Sequence, residues 1–154
     1  MIRKGGLNDI EKVNLIRKEV NDLHVEGEPG IFKGFSFELQ EYLKQFAGED
    51  KNKSFIVCEK AGEICGYAML EVISKEETSY KYAIKYLEIH ELGVSKNNKG
   101  QGYGKQLINE IKKIAIDLDI KEIRLDAWSF NKYAIDFYKK NNYEVYREYF
   151  RLSI

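Results

Sequence analysis

A chain of 154 residues is long enough to bury the core of one domain. Its charges balance, 25 basic against 25 acidic, which gives no support to a globally basic nucleic-acid binder, and no apolar run is long enough for a membrane span. Two cysteines, Cys58 and Cys65, make no disulfide scaffold, and the N-terminus lacks a signal-peptide core, so the expected location is cytoplasmic.

The predicted elements follow in chain order. "IRKG", residues 2–5, reads as a short first strand. From Leu7, apolar residues at Leu7, Ile10, Val13, Leu15, Ile16 and Val20 recur at helical spacing, with Asn8 or Asp9 able to cap. Residues 21–36 hold the only proline, Pro29, and three glycines, which predicts a loop. Ser36 then precedes a short helix, "FELQEYLKQF". "KSFIVCEK" and "EICGYAMLEVIS" predict two strands joined at Ala61-Gly62, and "IKYLEIHELGV", Ile84 to Val94, a third. Leu107, Ile108, Ile111, Ile114, Ala115 and Leu118 mark one face of a long helix. "KEIRLDAW", Lys121 to Trp128, reads as a strand, Asn131 can cap the helix "KYAIDFYKKN", and "YEVYREYFRLSI" predicts a final strand or strands. No repeat or linker interrupts the chain, so one domain over residues 1–154 is expected. The order predicts an α/β fold with a mixed sheet, in which the strand–helix–strand unit from Ile84 to Trp128 is parallel.

Between the strand ending at Val94 and the long helix lies "KGQGYGK", with Gly100, Gly102 and Gly104 alternating. The first amides of a helix lack internal partners, and the helix dipole is positive there, so phosphate oxygens suit this turn. Lys99 and Lys105 bracket it with positive charge. A P-loop is excluded, because Lys99 stands where that motif needs glycine and Gln106 where it needs Ser or Thr. The dinucleotide fingerprint is excluded too, since it spaces its last two glycines by two residues and "GQGYG" by one.

The turn resembles the acyl-CoA-binding signature of the GNAT superfamily of N-acetyltransferases, with Lys99 in place of the usual Arg or Gln. "WSFNKYAIDFYKKNNYEV" resembles that family's later motif through Asn131, Ala134, Phe137, Tyr138, Asn142 and Tyr143. The resemblance implies a GNAT fold: a mixed central sheet of six to seven strands, about four flanking helices, and a splay between strands 4 and 5. It implies a transferase using acetyl-CoA or coenzyme A as cosubstrate, without a metal, in which an amine attacks directly.

The resemblance also assigns residues. Leu92, Gly93, Val94, Lys99, Gly100, Gln101, Gly102, Tyr103, Gly104, Lys105 and Asn131 would hold the coenzyme, and Tyr138 would touch it and protonate the departing thiolate. A glycine inside a strand, as at Gly93, marks a bulge or a close backbone approach. Alternation puts Glu88 and His90 on one face of their strand and Glu91 on the other unless a bulge intervenes. Glu88 is the first candidate to bind or deprotonate the amine, and His90 the next. Glu91 reads as structural. Glu26, Glu28, Phe32, Phe35 and Trp128 are candidates for the acceptor pocket, which would take a small-molecule or peptide amine. An idle acyl-CoA-binding or regulatory module is the competing reading. Neither nucleic acid nor membrane is an expected partner. The aromatic C-terminal segment suits either a dimer contact or a strand buried inside the monomer.

Overall fold

The computed structural model describes residues 1–154. Five strands form one sheet in the order β1-β2-β3-β4-β5: β1 (Ile2–Lys4), β2 (Lys53–Lys60), β3 (Glu63–Lys75), β4 (Ile84–Val94) and β5 (Ile123–Arg124). The first three pairings are antiparallel and β4–β5 is parallel, as the connection through a helix requires. Four α-helices flank the sheet: α1 (Ile10–Gly27), α2 (Phe37–Tyr42), α3 (Tyr103–Asp117) and α4 (Lys132–Lys140).

Strand alternation sends the side chains into two cores. Ile56, Ala68, Leu70, Leu87 and Ile89 meet Leu107, Ile108 and Ile111 of α3 on one face. Phe55, Val57, Tyr67 and Met69 meet Val13 and Ile16 of α1, with Leu43 and Phe46 after α2, on the other. Each fully buried apolar side chain contributes about 1.5–3 kcal/mol, so these layers fix how the helices sit on the sheet. The β2–β3 hairpin turns at Ala61 (φ 50°) and Gly62 (φ 81°), the left-handed pair that matches the twist of two-residue hairpins. Ser36 caps α2, its hydroxyl accepting from the Leu39 amide at 3.2 Å.

Four expectations need correction. Helix α1 runs on to Gly27, through residues assigned to a loop; nothing between Asn21 and Glu26 breaks a helix, and the stop comes at Gly27 and Pro29. Its buried stripe is Ile10, Val13, Asn14, Ile16 and Arg17, whereas Leu15 is exposed. The strand at Lys121–Trp128 shortens to Ile123–Arg124, because β4 offers it only two ladder partners. The sheet has five strands, not six or seven: no strand forms in "YEVYREYFRLSI", which finds no ladder partner within the chain. Cys58 pairs with Gly66 in the β2–β3 ladder, and the thiols of Cys58 and Cys65 are free and buried.

Candidate active site

The chemistry gathers where β4 leaves β5. The parallel pairing consists of Leu87 with Ile123 and Glu88 with Arg124, and then it stops. Strand β4 continues to Val94 with its outer edge unpaired, so the sheet splays between strands 4 and 5 as expected. An unpaired strand edge offers N–H and C=O groups to any extended ligand. Glu88 occupies the last paired position.

The opposite edge of β4 carries a bulge. Its ladder with β3 shifts register between Met69 and Leu70, opposite His90. The extra residue brings Glu91 round to the face of α1, where Tyr67 and Arg17 reach it, so Glu91 shares a face with Glu88 and His90. At Gly93 itself there is no bulge: the Tyr67 ring lies against its backbone, 2.8 Å from where a Cβ would stand.

Glu91 is locked into the frame. The Arg17 guanidinium, 2% exposed, donates to both its oxygens at 2.8 and 2.9 Å. Tyr67 donates its hydroxyl to the same carboxylate at 2.9 Å. Arg17 also donates to Asn14 Oδ1 and to the Leu39 carbonyl, which ties α1, α2, β3 and β4 together. Burial alone would lower the Arg17 pKa, but the Glu91 carboxylate outweighs it and the net shift is upward.

Glu88 and His90 remain available on the same face. Burial, then the charges of Asp126 and Glu71, pushes the Glu88 carboxyl above its ordinary range, against the pull of His90 and Arg124. His90 Nε2 lies 2.6 Å from Glu71 Oε2, and its ring meets the Phe46 ring edge-on at 5.5 Å. Glu71, on β3 directly across from Glu88, escaped the sequence reading. Its partners depend on the β3–β4 register, and the polar connection between those strands gives no turn signal that fixes it.

The glycine turn stands beyond the end of β4. Gly100 (φ 76°) and Gly102 (φ 86°) adopt left-handed conformations that L side chains rarely take, with open space where a Cβ would be. Gly104 has another role: a Cβ there would stand 3.1 Å from the Phe137 ring, so it lets α3 and α4 close on each other. The first bond of α3 runs from Gln106 N to Gly102 O at 3.1 Å, which leaves the amides of Tyr103, Gly104 and Lys105 without backbone acceptors. The Tyr103 side chain is buried in the α3-side core. Gln101 donates to the Asn97 carbonyl at 3.2 Å, and Lys99 Nζ lies 5.7 Å from the Tyr133 ring centroid on α4. Leu92 and Val94 pack toward α3, leaving their backbone at the open edge.

Helix α4 closes this side. Asn131 Oδ1 accepts from the Ala134 amide at 3.2 Å and caps it. Asn142, at φ 68°, takes the left-handed position after it. Tyr138 packs against Phe137 and Tyr143, and burial raises its phenol pKa, with the Tyr143 phenol adding to the shift. The buried Tyr143 hydroxyl has no hydrogen-bond partner, and burial pushes its pKa up to about 12.

The acceptor-side candidates divide. Phe32 stands edge-on between His24 and Trp128, 5.0 Å from each, and Phe130 completes an aromatic cluster that joins the end of α1 to the loop before Asn131. Phe35 lies elsewhere, its ring 5.6 Å from the Arg17 guanidinium. Glu26 is exposed near the end of α1, while Glu28 is paired with Arg151 at 3.0 Å.

The model of the acetyltransferase (GNAT) family matches residues 17–143. The chain belongs to that family. Solved structures share the fold. A tetramutant of the BH1408 protein from Bacillus halodurans superposes with a TM-score of 0.93 at 20% identity, over 100% of this chain and 99% of that one. The aminoglycoside N-acetyltransferase AAC(6')-Iy in complex with CoA gives 0.72 at 14%, over 100% and 98%. The aminoglycoside acetyltransferase meta-AAC0020, from an uncultured soil metagenomic sample and in complex with trehalose, gives 0.71 at 22%, over 99% and 96%.

Proposed function

We propose that residues 1–154 form one catalytic domain that transfers the acetyl group of acetyl-CoA to a primary amine of a small molecule or peptide by direct attack. One observation carries this reading: Glu88 stands where β4 and β5 part, on the same open strand that leads to the unpaired amides of α3. The glycine turn fits a pyrophosphate, because the positive-φ glycines leave space above those amides and the helix dipole favours anions. The open β4 edge at Leu92–Val94 suits the amides of an extended pantetheine arm. Acetyl-CoA supplies an activated acyl group on a good leaving group.

The residues then have separate tasks. Glu88 accepts the amine's proton, directly or through one water, and its raised pKa makes it a better base than an ordinary carboxylate. The amine nitrogen bonds to the carbonyl carbon as the carbon–sulfur bond breaks. Tyr138 gives its proton to the thiolate. Glu71 and His90 hold each other beside Glu88. Phe32 and Trp128 form an apolar wall. The relatives named for aminoglycosides make a polyamine-like small molecule the first acceptor to try.

A coenzyme A release assay over a panel of amines tests the reading. At least one amine is expected to be turned over, and Tyr138→Phe is expected to lower that rate by about 10²-fold, the lower end for loss of a general acid, with coenzyme A affinity unchanged. Coenzyme A binding without turnover on any amine would make the chain an idle binding module.

A further inference from the structure

Two hydrogen bonds show that β4 changes phase along its length. Near its start Leu87 donates its amide outward, to the Glu122 carbonyl beside β5, at 3.0 Å. Backbone groups alternate in direction along a strand, so Ile89 also faces outward and Glu88 faces β3. Just past the other end Ser95 donates inward, to the Cys65 carbonyl of β3, at 2.9 Å. Counting back by the same alternation, Gly93 and Glu91 face β3, while Leu92 and Val94 face outward.

The bulge opposite His90 reconciles the two halves. One extra residue on β4 reverses which residues look out. It turns the N–H and C=O of Leu92 and Val94 into the gap where β5 has ended. It also turns the residues on either side of Leu92, Glu91 and Gly93, towards Tyr67.

Tyr67 holds both of those residues. It lies opposite Gly93 in the ladder and reaches diagonally to Glu91, two residues back along β4. Its hydroxyl donates to Glu91 Oε2 at 2.9 Å, and its ring stands 2.8 Å from where a Gly93 Cβ would be. Tyr67 is 0% exposed, and burial keeps its phenol well above the ordinary range, so the hydroxyl stays a donor at any working pH. Phenylalanine would fill this space with no polar group to bury. The bond to Glu91 is what the hydroxyl adds.

We propose that Tyr67 is a positioning residue for acyl transfer: by gripping Glu91 and Gly93 it fixes the backbone of Leu92, and with it the place of the thioester relative to Glu88. This rests on the acetyltransferase reading above. The diphosphate of the coenzyme belongs to the turn before α3, outside the strand, so loosening β4 leaves that grip intact. It lets the acyl end drift, and a misplacement of about 1 Å can cost turnover about 10²-fold. Tyr67 therefore acts on the rate and not on the affinity for the coenzyme.

Steady-state kinetics and coenzyme A calorimetry on Tyr67→Phe, with the unaltered chain alongside, test it. The ring stays on Gly93 and Arg17 stays on Glu91, so circular dichroism is expected to show a folded protein. kcat is expected to fall about 10- to 100-fold, with the coenzyme A Kd within about twofold of the unaltered chain. Gly93→Ala, which presses a methyl group onto the same ring, is expected to give the same split. An unchanged kcat in folded Tyr67→Phe overturns the proposal, and so does a fall in kcat matched by an equal loss of coenzyme affinity. Should Tyr67→Phe not fold, Gly93→Ala decides alone, and an unchanged kcat there overturns it. An unaltered chain that turns over no amine sinks the acetyltransferase reading and this proposal with it, whereas an active one with an equally active Tyr67→Phe sinks this proposal only.

Discussion

Replacing Glu88 by Gln is expected to lower turnover by about 10²–10⁴-fold, the usual worth of a general base, while leaving coenzyme A affinity unchanged. Glutamine keeps the shape and the hydrogen-bonding capacity but cannot take the proton. The pH profile carries the sharper signature. A base acts in its ionised form, and burial with nearby carboxylates has raised the Glu88 pKa. Activity should therefore rise with pH along a limb that lies above the ordinary glutamate value, about 4.3. Glu88→Gln should remove that limb. Glu71→Gln takes away a like charge across the ladder and should shift the limb to lower pH with a smaller loss of turnover. Unchanged turnover at every pH in Glu88→Gln would remove this residue from the mechanism.

Arg17→Met is expected to destabilise the fold by about 3 kcal/mol, the low end for removing one partner of a buried ion pair. The low end applies because the Glu91 side chain is 26% exposed and can recruit some water. For a chain of this size that corresponds to a fall in Tm of roughly 10 °C. The loss has a structural route: Glu91 keeps its charge against the buried Tyr67 hydroxyl, and the contacts from α1 to Leu39 and Glu91 vanish together. Differential scanning calorimetry checks it. The double variant Arg17→Met with Glu91→Leu should recover part of the loss, because no unpaired charge is left behind. An unchanged Tm in the single variant would show that the network does not hold the two N-terminal helices.

Much of this was legible in the residues. The Ala61-Gly62 hairpin, the limits of β4 and the caps at Ser36 and Asn131 all follow from local chemistry, and local chemistry is what a sequence displays. The glycine turn was legible as well, although its third glycine serves helix packing rather than backbone freedom. Arg17 had a signal that went unused: it falls at helical spacing with Ile10, Val13 and Val20, a charge on an apolar stripe, which calls for a buried partner. The face of Glu91 was not legible, because the bulge that turns it arises from the β3–β4 register. Nor was the pairing of Glu71 with His90, for the same reason. The last strand failed differently. Its alternation is real, but an alternating segment states only that it wants a sheet, not whose sheet.

Titration calorimetry with coenzyme A and acetyl-CoA tests the central claim most directly, that the free amides at the start of α3 hold the diphosphate of an acyl thioester. Saturable heat with both is expected, weakened strongly by Gly102→Val, which forces a β-branched side chain into a φ of 86° at the N-terminus of that helix. Folded protein that gives no heat with either ligand would contradict the account.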